Sequence, residues 1–153
     1  MSIRGIGPLL AIAGAGAAIA VTVVERLTGF KLPLPSPWRE WGFFVGIAMM
    51  IVGGVFWISS GVLVKRAFGS HHLVTSGIFR VSRNPMYAGF ILFLIPGLAL
   101  ILNDIMLIII SVVMFVAFKA GIDREESFLA KEFGEEYERY RRSVPQLVPF
   151  VHV

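Results

Sequence analysis

The 153 residues include no cysteine, and only 16% of them are charged, against 56% that are hydrophobic. The missing thiols exclude disulfide scaffolds, thiolate zinc sites and cysteine nucleophiles. The scarcity of charge excludes a disordered chain and argues against a soluble domain, where about 25% of residues are charged. Histidine is scarce too. His71 and His72 are adjacent, His152 is remote, and no third ligand stands at metal spacing, so no metal site is expected. Neither a P-loop nor a nucleophile elbow is present. The basic excess is small, with 14 Lys and Arg against 10 Asp and Glu. In so apolar a chain that excess belongs beside anionic lipid, and no nucleic-acid partner is expected.

Long uncharged runs dominate what is there. Gly5 to Val24 spans 20 residues, enough to cross the roughly 30 Å hydrocarbon core. Its Gly14-Ala15-Gly16 suits close helix packing. A cleaved signal peptide is the competing reading of this run. Trp41 to Val64 is uncharged over 24 residues and contains the pair Gly42 and Gly46. Met86 to Asn103 and Ile105 to Phe118 are two shorter arms, with Asn103-Asp104 as a tight turn between them and Pro96-Gly97 as a kink in the first. The expected fold is therefore all-α and integral to the membrane. It has four transmembrane helices, the last two a tight hairpin, and a cytosolic amphipathic C-terminal helix. Residues 1–153 make one domain, with two spans in 1–64 and a functional core in 65–153.

Charge placement sets the expected direction. Arg26, Lys31 and Arg39 lie in the first connection, and the other eleven Lys and Arg, Arg4 included, fall on the opposite side of a four-span arrangement. That side is cytosolic by the positive-inside rule, so both termini are expected there.

Two cytosolic segments are too polar for membrane and too patterned for plain loop. In the first, Thr75-Ser76-Gly77 reads as a turn, and Asn84-Pro85 reads as N-cap and first residue of a helix. With Arg80 and Arg83 nearby, it is either an anion site or an ordinary positive-inside anchor. In the second, Ile122, Leu129, Phe133, Tyr137 and Tyr140 recur at helical spacing from Gly121 to Tyr140. Glu125 and Glu126 border that apolar face, as site carboxylates or as members of a salt-bridge ladder.

Together these segments resemble the isoprenylcysteine carboxyl methyltransferases. Arg83-Asn84-Pro85-Met86-Tyr87-Ala88-Gly89 is similar to their Arg-His-Pro-x-Tyr-x-Gly segment. Glu125-Glu126, Phe133-Gly134-Glu135-Glu136-Tyr137, Val144-Pro145 and Pro149-Phe150 are similar to their C-terminal elements. The likeness covers residues 70 to 150, and the wider superfamily includes phospholipid N-methyltransferases. It implies a membrane methyltransferase that uses S-adenosylmethionine held on the cytosolic side. It implies a cofactor pocket of Pro85, Tyr87, Gly89, Glu125 and Glu126, with His71 and Gly77 close by. It implies Arg83 and Asn84 at the reacting end, with Arg83 handling an acceptor carboxylate. Asn84 departs from the family's His and cannot take a proton near neutral pH. The implied partners are membrane lipid and a lipophilic or lipidated acceptor, by carboxyl O-methylation or, alternatively, phospholipid amine N-methylation. A small four-helix exporter is the reading from another class. It would want a membrane-embedded carboxylate, whereas Glu25, Glu40 and Asp104 stand at segment edges.

Overall fold

The computed structural model describes residues 5–67 and 72–148, and every regular element among them is helical. Arg4, His71, His152 and Pro149-Phe150 lie outside the described residues. The elements are α1 (Gly7–Thr28), α2 (Ser36–Ala67), α3 (Pro85–Ile101), α4 (Ile108–Phe133) and α5 (Glu135–Ser143). Single 3₁₀ turns at Gly77–Arg80 and Ile105–Leu107 lead into α3 and α4. Three helices, α1, α2 and α4 with its leading turn, are long and apolar enough to cross a membrane, and α3 is a shorter apolar helix. Their outer faces are apolar: Ile12 is 73% exposed, Ile51 64% and Val116 61%. In water such faces would aggregate. In lipid they are the expected surface, because the helices satisfy their own backbone groups.

Glycine sets how closely α2 and α3 approach. A Cβ on Gly46 would sit 2.7 Å from the Gly97 carbonyl oxygen, and one on Gly53 would sit 3.0 Å from that of Gly89. The contacts run antiparallel, spaced seven positions apart on α2 and eight on α3. The extra residue is absorbed by a π-turn, Gly89–Leu94, where the Ile95 N–H bonds to the Phe90 carbonyl. Pro96 explains its position. Lacking an N–H, it leaves a carbonyl one turn back without its α-helical partner, and a widened turn absorbs such a defect. The expected disturbance at Pro96-Gly97 thus falls one turn earlier. Of the expected GxxxG pair, Gly42 faces the Leu34 side chain and Gly46 makes the helix contact. Gly14 packs on Met114 of α4, while Gly16 faces open space.

These contacts carry a prediction. Gly46→Ala forces two backbones apart and should cost about 1–3 kcal/mol. Gly54→Ala, where nothing lies within 4 Å, should be neutral or slightly stabilising, because Ala is the better helix former. Thermal unfolding in detergent compares them, and equal midpoints would contradict this packing.

At one end of the bundle the α1–α2 loop meets the α3–α4 turn. The Leu34 N–H donates to Asn103 Oδ1 at 2.9 Å, and the Ile105 N–H donates to the Leu32 carbonyl at 3.0 Å. Asn103 takes φ 54°, and Asp104 accepts from the Met106 N–H at 3.2 Å, which makes the expected tight turn. At the other end one expectation is corrected. The membrane arm does not stop at Phe118 before a separate helix from Gly121 to Tyr140. α4 runs unbroken to Phe133, and the break comes at Gly134, where φ is 52°. Nothing between Phe118 and Gly121 interrupts a helix, and Gly121 is a packing position: a Cβ there would meet Ile6 at 2.9 Å. α4 therefore carries Glu125 and Glu126 as a rigid extension of a membrane helix.

Candidate active site

Two buried clusters frame this second end. One joins Ile6 and Leu10 of the α1 end to Phe56, Ala88, Phe118 and Ile122 of α2, α3 and α4. The other docks Tyr137, Tyr140 and Val144 on Leu73 and Phe79. The apolar face expected from Ile122 to Tyr140 is thus the docking face, split between α4 and α5. The Tyr140 hydroxyl donates to the Phe79 carbonyl at 2.7 Å, which ties α5 to the turn before α3.

Between the clusters lies a cavity of about 340 Å³, within the range of small-molecule sites. Arg83, Asn84, Pro85, Tyr87, Glu125 and Glu126 all line it. Six residues singled out from two segments 40 residues apart therefore share one cavity. His72 lines it too, and His71 is not described. Gly77 and Gly89 are not among the lining residues. Gly77 takes φ 61° in the turn and abuts Leu63, and Gly89 abuts Gly53 and Phe56.

Arg83 and Glu126 form the polar centre. Arg83 Nη1 lies 3.1 Å from Glu126 Oε1, with side chains only 7% and 5% exposed. Arg141 Nε stands 3.7 Å from Glu126 Oε2. Its second contact, to Glu138 at 3.8 Å, is half exposed and contributes little. Gln146 Nε2 donates to Glu126 Oε1 at 3.1 Å, and Lys119 Nζ donates to Gln146 Oε1 at 2.8 Å. Asn84 holds the N-cap position of α3 but makes no side-chain cap, contrary to expectation. Its Nδ2 donates instead to the Gln146 carbonyl at 2.9 Å. The Arg83 N–H donates to the Pro145 carbonyl at 2.9 Å. Residues 145–146 therefore clamp the approach to α3 from outside.

Glu125 and Tyr87 reach toward α1. Glu125 Oε2 accepts from the Ile6 N–H at 3.2 Å, which places a carboxylate at the positive end of α1. The Tyr87 hydroxyl lies against the backbone of Gly7, and its ring stacks edge-on to Phe118 at 5.8 Å. Burial, and then the nearby Glu126 carboxylate, push the Tyr137 phenol up to about 12. Burial pushes Tyr140 up as well. Both phenols stay neutral near pH 7 and serve as hydrogen-bonding groups.

Tyr137, Arg141 and Gln146 are the contributors that residue patterns missed in these roles. Tyr137 was legible as core but not as a neighbour of Arg83. Arg141 and Gln146 carry no periodic or motif signal beyond their nearness to Val144-Pro145.

Arg83 Nε and Nη1 are both buried without a hydrogen-bond partner among the described residues; Nη1 still has its ion-pair contact to Glu126, and Nε has none there. A buried guanidinium, two carboxylates and aromatic walls from Phe79 and Tyr137 fit a ligand that carries both charges and a flat ring.

The phospholipid methyltransferase profile matches residues 41–136. The probable protein-S-isoprenylcysteine O-methyltransferase of Oryza sativa subsp. indica is 30% identical over 144 residues, which cover 88% of this chain and 75% of that protein. Protein-S-isoprenylcysteine O-methyltransferase A of Arabidopsis thaliana is 32% identical, with 88% and 73% covered. The solved structure of a eukaryotic intramembrane Ras methyltransferase, an isoprenylcysteine carboxyl methyltransferase, shares the fold with a TM-score of 0.66 at 22% identity. The match covers 98% of this chain and 55% of that one, so the chain spans about half the length of the solved protein. These relatives draw their methyl group from S-adenosylmethionine. The exporter reading is set aside, and the chain belongs to the isoprenylcysteine carboxyl methyltransferase and phospholipid methyltransferase family of integral membrane methyltransferases.

Proposed function

We propose that this chain methylates the carboxylate of an isoprenylcysteine-like, lipophilic acceptor at the cytosolic face of a membrane. Arg83 carries the reading. One edge of its guanidinium faces Glu126, and its Nε is a buried donor without a partner among the described residues. Leaving a buried donor unsatisfied costs roughly 1–3 kcal/mol. An incoming carboxylate would relieve that cost and suits the planar fork of a guanidinium. An amine offers this N–H no comparable acceptor.

S-adenosylmethionine would supply an electrophilic methyl group on a sulfonium. Glu125, Glu126, Tyr87 and Pro85, which line the cavity, would hold it. Gly89 would contribute from behind by letting α2 approach. A carboxylate acceptor is already ionised near pH 7 and needs no general base. The chain's own task is alignment, which supplies several kcal/mol, and Asn84, which takes no proton near neutral pH, suits that task. Residues 65–153 would form the cofactor core and 1–64 two supporting spans, α1 being tied to the core through Ile6 and Glu125.

The second reading, N-methylation of a phospholipid amine, draws on the profile match. There Glu125 or Glu126 would have to take a proton from the nitrogen. Transfer of a labelled methyl group to an S-prenylated N-acetylcysteine and to phosphatidylethanolamine, in vesicles, separates the two. A carboxyl ester loses its label as methanol in alkali, whereas an N-methyl group keeps it. Alkali-labile label in the prenylcysteine is expected. Alkali-stable label confined to the phospholipid would overturn the carboxylate reading.

The topology belongs to the same proposal. α3 would make a fourth crossing despite its length, because its turn into α4 meets the α1–α2 loop at one end. The termini and site would then be cytosolic. Cysteines introduced at Ser36 and Ser143 should label from opposite sides of sealed vesicles. Labelling from the same side would end the four-span arrangement.

A further inference from the structure

We infer that Gln146 is a positioning residue, whose side-chain amide is held in one orientation by Lys119 so that it fixes Glu126, and through it Arg83. The inference rests on the proposal that Arg83 serves the acceptor, and it adds a residue that neither the motifs nor the apolar pattern single out.

Gln146 uses both ends of its side chain and its backbone. Its Oε1 accepts from Lys119 Nζ at 2.8 Å, and its Nε2 donates to Glu126 Oε1 at 3.1 Å. Its backbone carbonyl accepts from Asn84 Nδ2 at 2.9 Å and from Ser82 Oγ at 3.3 Å. The amide orientation follows from chemistry. An ammonium has donors only, so the amide must turn its oxygen to Lys119. The NH₂ group is then directed at Glu126, whose carboxylate has acceptors only. Reversing the amide would set donor against donor at one end and acceptor against acceptor at the other.

The backbone cannot follow such a reversal. Val144 and Leu147 are buried on either side, and the Pro145 carbonyl already accepts from the Arg83 N–H. Glu126 Oε1 is shared between Gln146 and Arg83 Nη1. Freeing the Gln146 contact lets the carboxylate swing toward Arg141, which stands near its other oxygen. Arg83 would then lose its fixed edge while keeping its charge and its place in the chain. The expected signature is slower transfer from a site that still folds and binds.

Lys119 is exposed, which makes it the better handle. Single-turnover methyl transfer at saturating acceptor and cofactor should fall about tenfold in Gln146→Leu, the effect of one hydrogen bond to a charged group. Lys119→Met should lower the rate several-fold in the native background and not further in Gln146→Leu. Lys119→Arg, which keeps the donor, should restore it. A structural role alone would give independent losses. Equal factors for Lys119→Met in both backgrounds, or a wild-type rate in Gln146→Leu, would overturn the inference. If Gln146→Leu fails to fold, Lys119→Met against Lys119→Arg decides, and equal rates overturn it. If the methyl group goes to an amine acceptor and the Lys119–Gln146 coupling persists there, the carboxylate reading fails and the positioning role stands.

Discussion

Glu126→Gln is expected to be the most damaging single polar substitution in the chain, lowering stability by about 3–5 kcal/mol and abolishing turnover. The magnitude follows from what surrounds the carboxylate. Arg83 is nine-tenths buried and has Glu126 as its ion-pair partner at 3.1 Å, while Arg141 is half exposed and 3.7 Å away. Removing one member of a buried pair strands the other charge, at about 3–5 kcal/mol. That is a large share of the roughly 5–15 kcal/mol by which small domains are stable. Gln offers one acceptor where the carboxylate offered two, and it sets an NH₂ against either Gln146 or Arg141. Thermal unfolding of the purified protein measures the loss. The double substitution Arg83→Met with Glu126→Leu should recover much of the stability, since apolar replacement of a buried pair is often neutral, and none of the activity. A Glu126→Gln variant with the unfolding midpoint and turnover of the native chain would contradict the arrangement.

Arg83→Lys is expected to give the largest change in activity at nearly constant stability and cofactor affinity. Lys keeps the charge that Glu126 requires, so the pair survives. It loses the planar fork, and with it the Nε donor that has no partner among the described residues. One hydrogen bond between charged groups contributes about 1.5–3 kcal/mol, so transfer should slow by about tenfold to over a hundredfold. Arg83→Ala should do the same to transfer and also destabilise, because it leaves Glu126 buried without its partner.

Apolar runs without charge give α1, α2 and α4 directly, since a bilayer asks only for length and hydropathy. The apolar face from Ile122 to Tyr140 is legible because periodicity survives a helix break. The break itself was misplaced, since a change from apolar to charged composition does not end a helix. Gly134 does, and its sequence signal is only a glycine before an acidic run. The π-turn was legible only as a proline-associated disturbance, because its register depends on Gly46 and Gly53 across the interface. The site followed the same division. Arg83, Tyr87, Glu125 and Glu126 stood out through local motifs. Gln146 and Lys119 did not, because a single side chain that joins segments 27 residues apart leaves no pattern in either one.

The central claim is that Arg83 acts on the acceptor, and single-turnover methyl transfer in Arg83→Lys tests it most directly when cofactor affinity is measured by calorimetry on the same preparation. The expected result is a dissociation constant for S-adenosylhomocysteine within about twofold of the native chain, with transfer to a prenylcysteine carboxylate slowed by about tenfold or more. A native transfer rate would contradict the claim and leave Arg83 as the structural ion-pair partner of Glu126. A loss of cofactor affinity that accounts for the whole fall in rate would contradict it as well, and would assign the guanidinium to the cofactor.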